Sequence, residues 1–216
     1  LVGSEMCIRD SGPDRDAVVM GWDCGPANSL IDLAVERFSA GRELFDRNGA
    51  RAAAGRCDEN VLQRWLQEPY FQSSPPKSTG RECFGSEDLN RRLQQLGTCT
   101  VNDAVINDAV ATLTAFSAAV VAQDLDVLRA RTGIQPLELL VAGGGGRNPV
   151  LMNELRRRCR GVAVGGSDRI GLPAEAREAL VFALLAWWHA SGHPGNAPAI
   201  TGAAQEACLG VMVSPA

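Results

Sequence analysis

Short apolar runs alternate with longer helical patterns along most of the chain. A β-branched run at 17–22 predicts a buried strand that ends at the turn 23–26, and 137–142 predicts a second one that ends in four glycines at 143–146. A third strand is predicted at 162–164. Strands that alternate with helices pack as a sheet covered by helices, so the pattern predicts an α/β fold with a parallel or mixed sheet.

Helical periodicity fills most of the intervening segments. Ser29 and Asp32 have capping-box spacing, Pro69 is expected to end a helix, and Asn148 with Pro149 fits an N-cap followed by the first helical residue. The helix that Pro173 opens is expected to bury Glu178, Val181, Leu184 or Leu185, and Trp188. Helices are predicted over 29–40, 59–68, 89–96, 103–131, 149–158, from 173 to 188, and for a turn or two at 203–209, with loops at 41–55 and 73–80.

Composition and charge exclude several classes of protein. The 216 residues are 45% hydrophobic and 21% charged, which is typical of a globular domain, and the net charge of −4 offers no basic patch for nucleic acid. Seven cysteines without a C-x-x-C pair indicate reduced thiols. The longest apolar run, 179–188, is shorter than the roughly 20 residues that a membrane span needs, so no membrane segment is predicted.

Residues 1–12 differ from the rest of the chain. They contain neither an initiator methionine nor the charged and apolar regions of a signal peptide, and they have no clear period. We expect them to be a foreign or mis-joined stretch, with residues 13–216 derived from a protein whose natural start lies further upstream.

Two strand-turn-helix units end in glycine-bearing turns, one at 23–28 and one at 143–148. Such a turn directs backbone N–H groups and a helix N-terminus toward an anion. Neither turn fits the P-loop pattern, and the four glycines lack the last glycine of G-x-G-x-x-G. The four consecutive glycines favour close approach of a flat or charged ligand, although a simple tight turn is the alternative.

Two carboxylates are candidates for chemistry. Asp23 follows a predicted strand, where an acid can act as a general base or hold a metal-bound water; an Asx-turn residue is the alternative. Glu178 falls on the apolar face of its helix, where it could enter a cleft or complement the helix dipole.

The segment 77–81 places two cations and two hydroxyls on one loop, which suits a phosphate or carboxylate but also suits a solvated loop. His189 and His193 have i, i+4 spacing without an evident third ligand, so no metal site is predicted.

Four ordered motifs together resemble the anhydro-N-acetylmuramic acid kinase family, a bacterial branch of the sugar kinase, Hsp70 and actin superfamily. They are GWDCGPAN at 21–28, KSTGRE at 77–82, AGGGGRNP at 142–149, and GLP at 171–173 with Glu178 and Ala179. The resemblance covers roughly residues 16–216.

The resemblance implies a ribonuclease H-like (actin-like ATPase) lobe with a mixed sheet flanked by helices. It also implies a cytoplasmic enzyme of peptidoglycan recycling that uses ATP and Mg²⁺. Water would open 1,6-anhydro-N-acetylmuramic acid, and phosphorylation on O6 would give N-acetylmuramic acid 6-phosphate. The implied partners are this amino sugar and ATP, and a homodimer is expected from the family.

The same resemblance implies roles for individual residues. Asp23 would be the base that activates water, and Glu178 a sugar or water ligand. Gly25 and Pro26 would form the second phosphate-binding turn. The adenosine-binding turn would comprise Gly143, Gly144, Gly145, Gly146 and Asn148. The loop 77–81 belongs to the pattern without an assigned role.

This chain departs from the family pattern in two ways. Trp22, Cys24 and Ala27 stand where family members usually have Phe, Thr and Gly, and the family's N-terminal G-T-S-x-D-G phosphate turn does not occur. We therefore expect the C-terminal lobe of such a kinase, which alone binds nucleotide weakly and turns nothing over. The alternatives are another sugar or acetate-type kinase and a non-catalytic nucleotide-binding module.

Overall fold

Helices dominate the computed structural model, which describes residues 4–9, 19–75, 77–80, 82–98 and 102–213. The strands are β1 (Ser4–Arg9), β2 (Val19–Gly25), β3 (Glu138–Val141) and β4 (Ala163–Gly166). The helices are α1 (Ser29–Phe38), α2 (Ala50–Ala54), α3 (Glu59–Leu66), α4 (Pro69–Gln72), α5 (Ser86–Gln95), α6 (Asp103–Thr132), α7 (Pro149–Arg158), α8 (Arg177–Ala190) and α9 (Pro198–Thr201). Four 3₁₀ turns lie at Arg47–Gly49, Gly144–Arg147, Ser167–Ile170 and Ala174–Ala176.

Helix α6 forms the centre of the core. The predicted bounds are nearly correct, but the prediction of a single buried stripe is wrong because residues 109–120 are all buried. Helices α1, α2, α3 and α7 and strand β2 pack around it. A helix that is apolar on all sides is typical of a core position. By length and composition α6 could cross a membrane, but 72% of its apolar window is buried within the fold.

Aromatic packing joins α3, α4 and α5 to α6. The ring of Trp65 meets that of Phe116 edge to face at 5.2 Å, and Phe71 meets Phe116 in the same way. The guanidinium of Arg92 is fully buried between Trp65 and Phe116, 4.8 and 4.6 Å from the ring centres. Glu68 and Asp88 accept its hydrogen bonds, so this buried charge is paired.

The described strands confirm the mixed α/β class, although they form only two sheets of two strands each. Strand β1 pairs antiparallel with β2, and β3 pairs parallel with β4. The prediction of a buried strand at 137–142 is wrong in its burial, since Glu138 is exposed and the rest of β3 is half-buried. Only one face of this strand, through Leu139 and Val141, packs against the core.

Several helix ends differ from their predictions. The capping box is wrong because Asn28 is the N-cap of α1 and Ser29 is its first residue, with the Ser29 hydroxyl donating to the Pro26 carbonyl. Pro69 begins α4 rather than only ending the helix before it, as its fixed φ suits a first helical position. The predicted loop at 41–55 contains a 3₁₀ turn and α2.

The C-terminal region departs most from the predicted pattern. The described residues of α8 include none that is buried. Val181 and Leu184 are each 43% exposed, whereas Leu185 and Trp188 are half-buried, so the expected stripe is covered only in part. The described contacts of this helix lie mainly with the 3₁₀ turn before it and the tail after it, which cover it incompletely. The helix predicted at 203–209 is absent there, and a short helix forms earlier, at α9.

Other predictions are confirmed by local geometry. The Asn148 side chain accepts hydrogen bonds from the backbone N–H groups of Val150 and Leu151, with Pro149 as the first residue of α7. Strand β2 covers the predicted apolar run from Val19 onward, while residues 17 and 18 lie outside the described residues. The predicted end of this strand at residue 22 is wrong, because β2 continues through Gly25 and pairs with β1 there, so Asp23 lies within the strand.

Asp32 gives the fold a pH dependence. Burial, reinforced by the charge of Asp46, raises the pKa of Asp32 to about 6 from an ordinary value of 3.8. The folded state therefore holds this proton more tightly, and stability falls as the pH rises from about 4 through 6. We expect Asp32→Asn to raise the free energy of unfolding by about 1 kcal/mol at pH 7.5, allowing for solvent screening, and by much less at pH 4.5.

Urea unfolding of the chain at the two pH values measures this difference. Glu36→Gln, an exposed substitution on the same helix, is the matched control and should have a small effect at both pH values. An equal gain from Asp32→Asn at pH 4.5 and 7.5 would contradict the assignment.

Candidate functional site

Strand β2 and the loop Lys77–Gly80 hold the carboxylate of Asp23 between them. One carboxylate oxygen, Oδ2, accepts hydrogen bonds from the Ser78 hydroxyl at 2.9 Å and the Thr79 backbone N–H at 2.8 Å. The backbone N–H of Asp23 donates to the Lys77 carbonyl at 3.0 Å. These partners lie more than 50 residues away in sequence, so the Asx-turn alternative does not describe this side chain.

A buried ion pair fixes the start of this loop. The Lys77 ammonium lies 3.1 Å from Asp124 Oδ1, and both side chains are only 5% exposed. The indole N–H of Trp22 donates to the other oxygen, Asp124 Oδ2, at 2.7 Å. The alternative of a solvated basic loop is therefore wrong for Lys77, and its charge is not presented to a phosphate. Arg81, the second cation of the motif, lies outside the described residues.

Burial also sets the protonation of two neighbours. The hydroxyl of Tyr70 donates to the Asp23 carbonyl at 2.8 Å, and burial, with the nearby charge of Asp23, raises the pKa of Tyr70. Burial likewise raises the pKa of the Cys24 thiol well above its usual range, with the charge of Asp124 adding to the effect. Both groups therefore stay protonated at neutral pH, and Tyr70 remains a donor.

The segment 25–27, where β2 ends and the chain turns, is packed tightly onto α6. A Cβ at Gly25 would lie 3.2 Å from both Phe71 and Val120, so a larger residue here would press on both side chains. Ala27 has φ +47°, in the left-handed region that favours glycine, and its carbonyl accepts a hydrogen bond from the Ser117 hydroxyl at 2.6 Å. Pro26, which lies between these two residues in the sequence, is also buried. The turn leads directly into α1.

The two predicted glycine-bearing turns come together. A Cβ at Gly145 would lie 3.1 Å from the side-chain oxygen of Asn28, the N-cap residue of α1. Gly143 has φ +83°, and its N–H donates to the Ala174 carbonyl at 3.1 Å, which ties the turn to the segment before α8. The side-chain oxygen of Asn148, Oδ1, caps α7, so this residue orients the N-terminus of that helix.

A recess of about 110 Å³ lies beside the second turn, at the carboxyl ends of β3 and β4. Ligands of open α/β sheets bind outside this end of the strands. Clefts that enclose small molecules are usually several times larger, so this recess is too small to enclose a whole ligand of that kind. Its lining residues are Val141, Gly146, Arg147, Gly166, Asp168, Pro173 and Ala174.

Glu178 lies on the first turn of α8, close in sequence to Ala174, and its side chain is exposed rather than turned to an apolar face. Within the described ranges, no three His, Cys, Asp or Glu side chains form a group suited to a metal ion. The ring nitrogen Nδ1 of His189 lies 3.0 Å from the Leu209 carbonyl oxygen.

Sequence reasoning missed the residues that support Asp23 from behind. Asp124 is the most informative of them, because it follows Val120 and precedes Leu128 at helical spacing on the buried side of α6. A carboxylate in an apolar stripe needs a partner, so the position of Asp124 in the sequence could have predicted a buried cation beside it.

Comparison with known proteins places this geometry in a family. The sequence model described as anhydro-N-acetylmuramic acid kinase matches residues 12–215. The chain belongs to the anhydro-N-acetylmuramic acid kinase family. It is 74% identical over 205 residues to the anhydro-N-acetylmuramic acid kinase of Parasynechococcus marenigrum (strain WH8102), a match that covers 95% of this chain and 53% of that protein.

Kinases of the same name from Synechococcus sp. (strain CC9605) and Prochlorococcus marinus (strain MIT 9303) are 65% and 64% identical, with the same coverage of 95% and 53%. The chain thus spans about half the length of the curated relatives it matches.

Ala27 gives a direct test of the turn. A non-glycine residue in the left-handed region is strained by about 1 kcal/mol, and Ala27 is such a residue. We expect Ala27→Gly to raise the free energy of unfolding of the chain by about 1 kcal/mol in urea titration. Ala53→Gly, at an exposed position of α2, is the matched control and should lower it by a similar amount. A loss of stability from Ala27→Gly would contradict the strained turn.

Proposed function

We propose that this chain supplies the base and the nucleotide-binding turns of an ATP-dependent kinase that acts on 1,6-anhydro-N-acetylmuramic acid. Water opens the anhydro ring, O6 is phosphorylated, and the product is N-acetylmuramic acid 6-phosphate, a step of peptidoglycan recycling in the cytoplasm. Family membership and the names of relatives up to 74% identical support this substrate. The observation that carries the proposal is the oriented carboxylate of Asp23 near the carboxyl end of β2, next to the glycine-bearing turns.

In this reaction Asp23 acts as the general base. Its carboxylate accepts a proton from water as the water oxygen attacks the anomeric carbon, and the bond from that carbon to O6 breaks. The released O6 then bonds to the γ-phosphorus of ATP, ADP departs, and the proton passes from Asp23 to solvent. The protein contributes chiefly position and electrostatic stabilisation to the phosphoryl step.

The nucleotide is proposed to bind across the two turns. Gly25 and Pro26 form the phosphate turn, and the four glycines at 143–146 receive the adenosine, with Asn148 orienting the N-terminus of α7. The contact of Gly145 with Asn28 supports one continuous binding surface. Glu178, near the recess in sequence, is proposed to bind the sugar or the attacking water.

Mg²⁺ is proposed to enter with ATP. Mg²⁺ is usually held by one or two carboxylates together with the substrate phosphates, so it needs no cage of protein ligands. This suits the described residues, which offer no group of three metal-binding side chains. When bound, the ion would neutralise charge on the transferring phosphoryl group.

We further propose that residues 13–216 form the C-terminal lobe of a ribonuclease H-like, actin-like kinase that works as a homodimer. Its N-terminal lobe would carry the other phosphate turn. The mixed α/β class and the match to about half of each relative support this arrangement. The chain alone is then expected to bind nucleotide weakly without turnover.

Asp23→Asn tests the proposed chemistry in a completed chain, in which residues 13–216 follow the N-terminal half of the P. marenigrum relative. We expect the completed chain to release ADP with the anhydro sugar, and not with N-acetylmuramic acid or glucose. Asp23→Asn should lower kcat by roughly 10²- to 10⁴-fold, because it removes the base while keeping the shape. Nucleotide affinity should stay within about twofold, since the base does not bind ATP.

Asp126→Asn, at a 73%-exposed position of α6, is the matched control and should keep parental turnover. Turnover of another sugar, or undiminished turnover by Asp23→Asn, would count against the proposed reaction and base respectively.

A further inference from the structure

We propose that the loop Lys77–Gly80 is a positioning device for Asp23, one that fixes which carboxylate oxygen meets the reacting water. Ser78 and Thr79 hold Oδ2, and Lys77 holds the loop in place. This inference rests on the proposed function, since it assigns a role to a motif that the reaction scheme leaves without one.

Three successive loop residues bind Asp23. The Lys77 carbonyl accepts the Asp23 backbone N–H, the Ser78 hydroxyl donates to Oδ2, and the Thr79 N–H donates to Oδ2. The loop therefore follows any movement of the strand at Asp23 and restrains the carboxylate against rotation. A base has to lie within hydrogen-bond reach of the proton it takes, so restraint of its orientation serves catalysis directly.

The two hydrogen bonds make the carboxylate oxygens unequal. Oδ2 already accepts two hydrogen bonds, as many as it has lone pairs. Both of the hydrogen bonds described for this carboxylate end on Oδ2. The geometry leaves Oδ1 as the oxygen that accepts the proton from water, while Oδ2 stays bound to the loop.

The anchor lies behind the loop, in the core. Lys77 pairs with Asp124 at 3.1 Å with both side chains 5% exposed, and Trp22 donates to the second oxygen of Asp124. Trp22 directly precedes Asp23 on β2, so the strand and the loop share one buried carboxylate. A buried pair contributes little net stability over apolar residues, but it is costly to break and fixes geometry. Fixing the loop relative to Asp23 is the use we assign to it.

Lys77 is also the chain's only lysine, whereas the other 20 basic residues are arginines. Its ammonium is compact and lies 5.2 Å from the centre of the Tyr70 ring, and Tyr70 donates to the Asp23 carbonyl. An arginine at this position would bring five N–H donors, rather than the three of lysine, and each buried donor would need an acceptor in the same space. Tyr70 and Lys77, which contact each other, thus bind the carbonyl and the N–H of the Asp23 backbone respectively.

A double-mutant cycle in the completed chain tests the device. Ser78 is exposed, so Ser78→Ala removes one donor without opening the core. We expect Ser78→Ala to lower kcat by about tenfold with KM for the anhydro sugar within twofold, because the interaction serves the transition state. Ser78→Thr, which keeps the hydroxyl, should restore most of the loss. Ser74→Ala, at another exposed serine of the same loop region, should match the parent.

The decisive comparison is made in the Asp23→Asn background. If Ser78 acts through Asp23, adding Ser78→Ala to Asp23→Asn should lower the residual kcat no further. A full additional tenfold loss there, or parental kcat in Ser78→Ala alone, would overturn the positioning role. Loss of turnover by the parent, in contrast, would refute the proposed function itself and the inference with it.

Amine labelling tests the anchor without any assay of activity. An acylating reagent should modify Lys77 in the native completed chain at least tenfold more slowly than in denaturing urea, as read by mass spectrometry of its peptide. Trp22→Phe, which removes one hydrogen bond to Asp124, should speed the native reaction. Labelling of native Lys77 at the rate seen in urea would overturn the anchor.

Discussion

One face of helix α6 supports the part of the candidate site around Asp23. Ser117, Val120 and Asp124 are spaced at i, i+3 and i+7, so they lie along one side of the helix. Ser117 binds the carbonyl of Ala27, Val120 packs on Gly25, and Asp124 holds the loop through Lys77. Since α6 is buried on all sides over 109–120, this face has little freedom to shift. The position of Asp23 is thus a consequence of how the core packs.

The glycines of the two turns occupy their positions for different physical reasons. A Cβ at Gly25 would press on Phe71 and Val120, whereas a Cβ at Gly145 would press on the side chain of Asn28. Gly143 is needed for its positive φ, which turns its N–H toward the Ala174 carbonyl. Two close approaches and one positive φ thus accompany the placement of the two backbone turns side by side.

Much of the architecture could be predicted from sequence, because long helices and their caps are local features. Helices α6 and α7 agree with their predicted bounds to within a residue, and the Asn148 cap has the predicted geometry. The burial of α8 could not be predicted, because periodicity indicates an apolar face without saying what covers it. The apolar run at β3 was likewise more exposed than its composition suggested.

The site divides in the same way. Asp23 and the two turns were evident from the pattern of strand, glycine and helix, and the structure brings Asn28 and Gly145 together. The hydrogen bonds of Ser78 and Thr79 to Asp23 join segments more than 50 residues apart, and no local sequence pattern predicts such a contact. The one usable signal was the charge of Asp124 within an apolar stripe, since such a charge requires a buried partner.

A crystal structure of the completed chain with the anhydro sugar and a non-hydrolysable ATP analogue tests this account most directly. The account predicts a water within about 2.6–3.2 Å of Asp23 Oδ1 and facing the anomeric carbon. It also predicts adenosine against residues 143–146 and a Lys77 ammonium still paired with Asp124. A water held by Oδ2, a Lys77 ammonium bound to phosphate, or a sugar remote from Asp23 would contradict it.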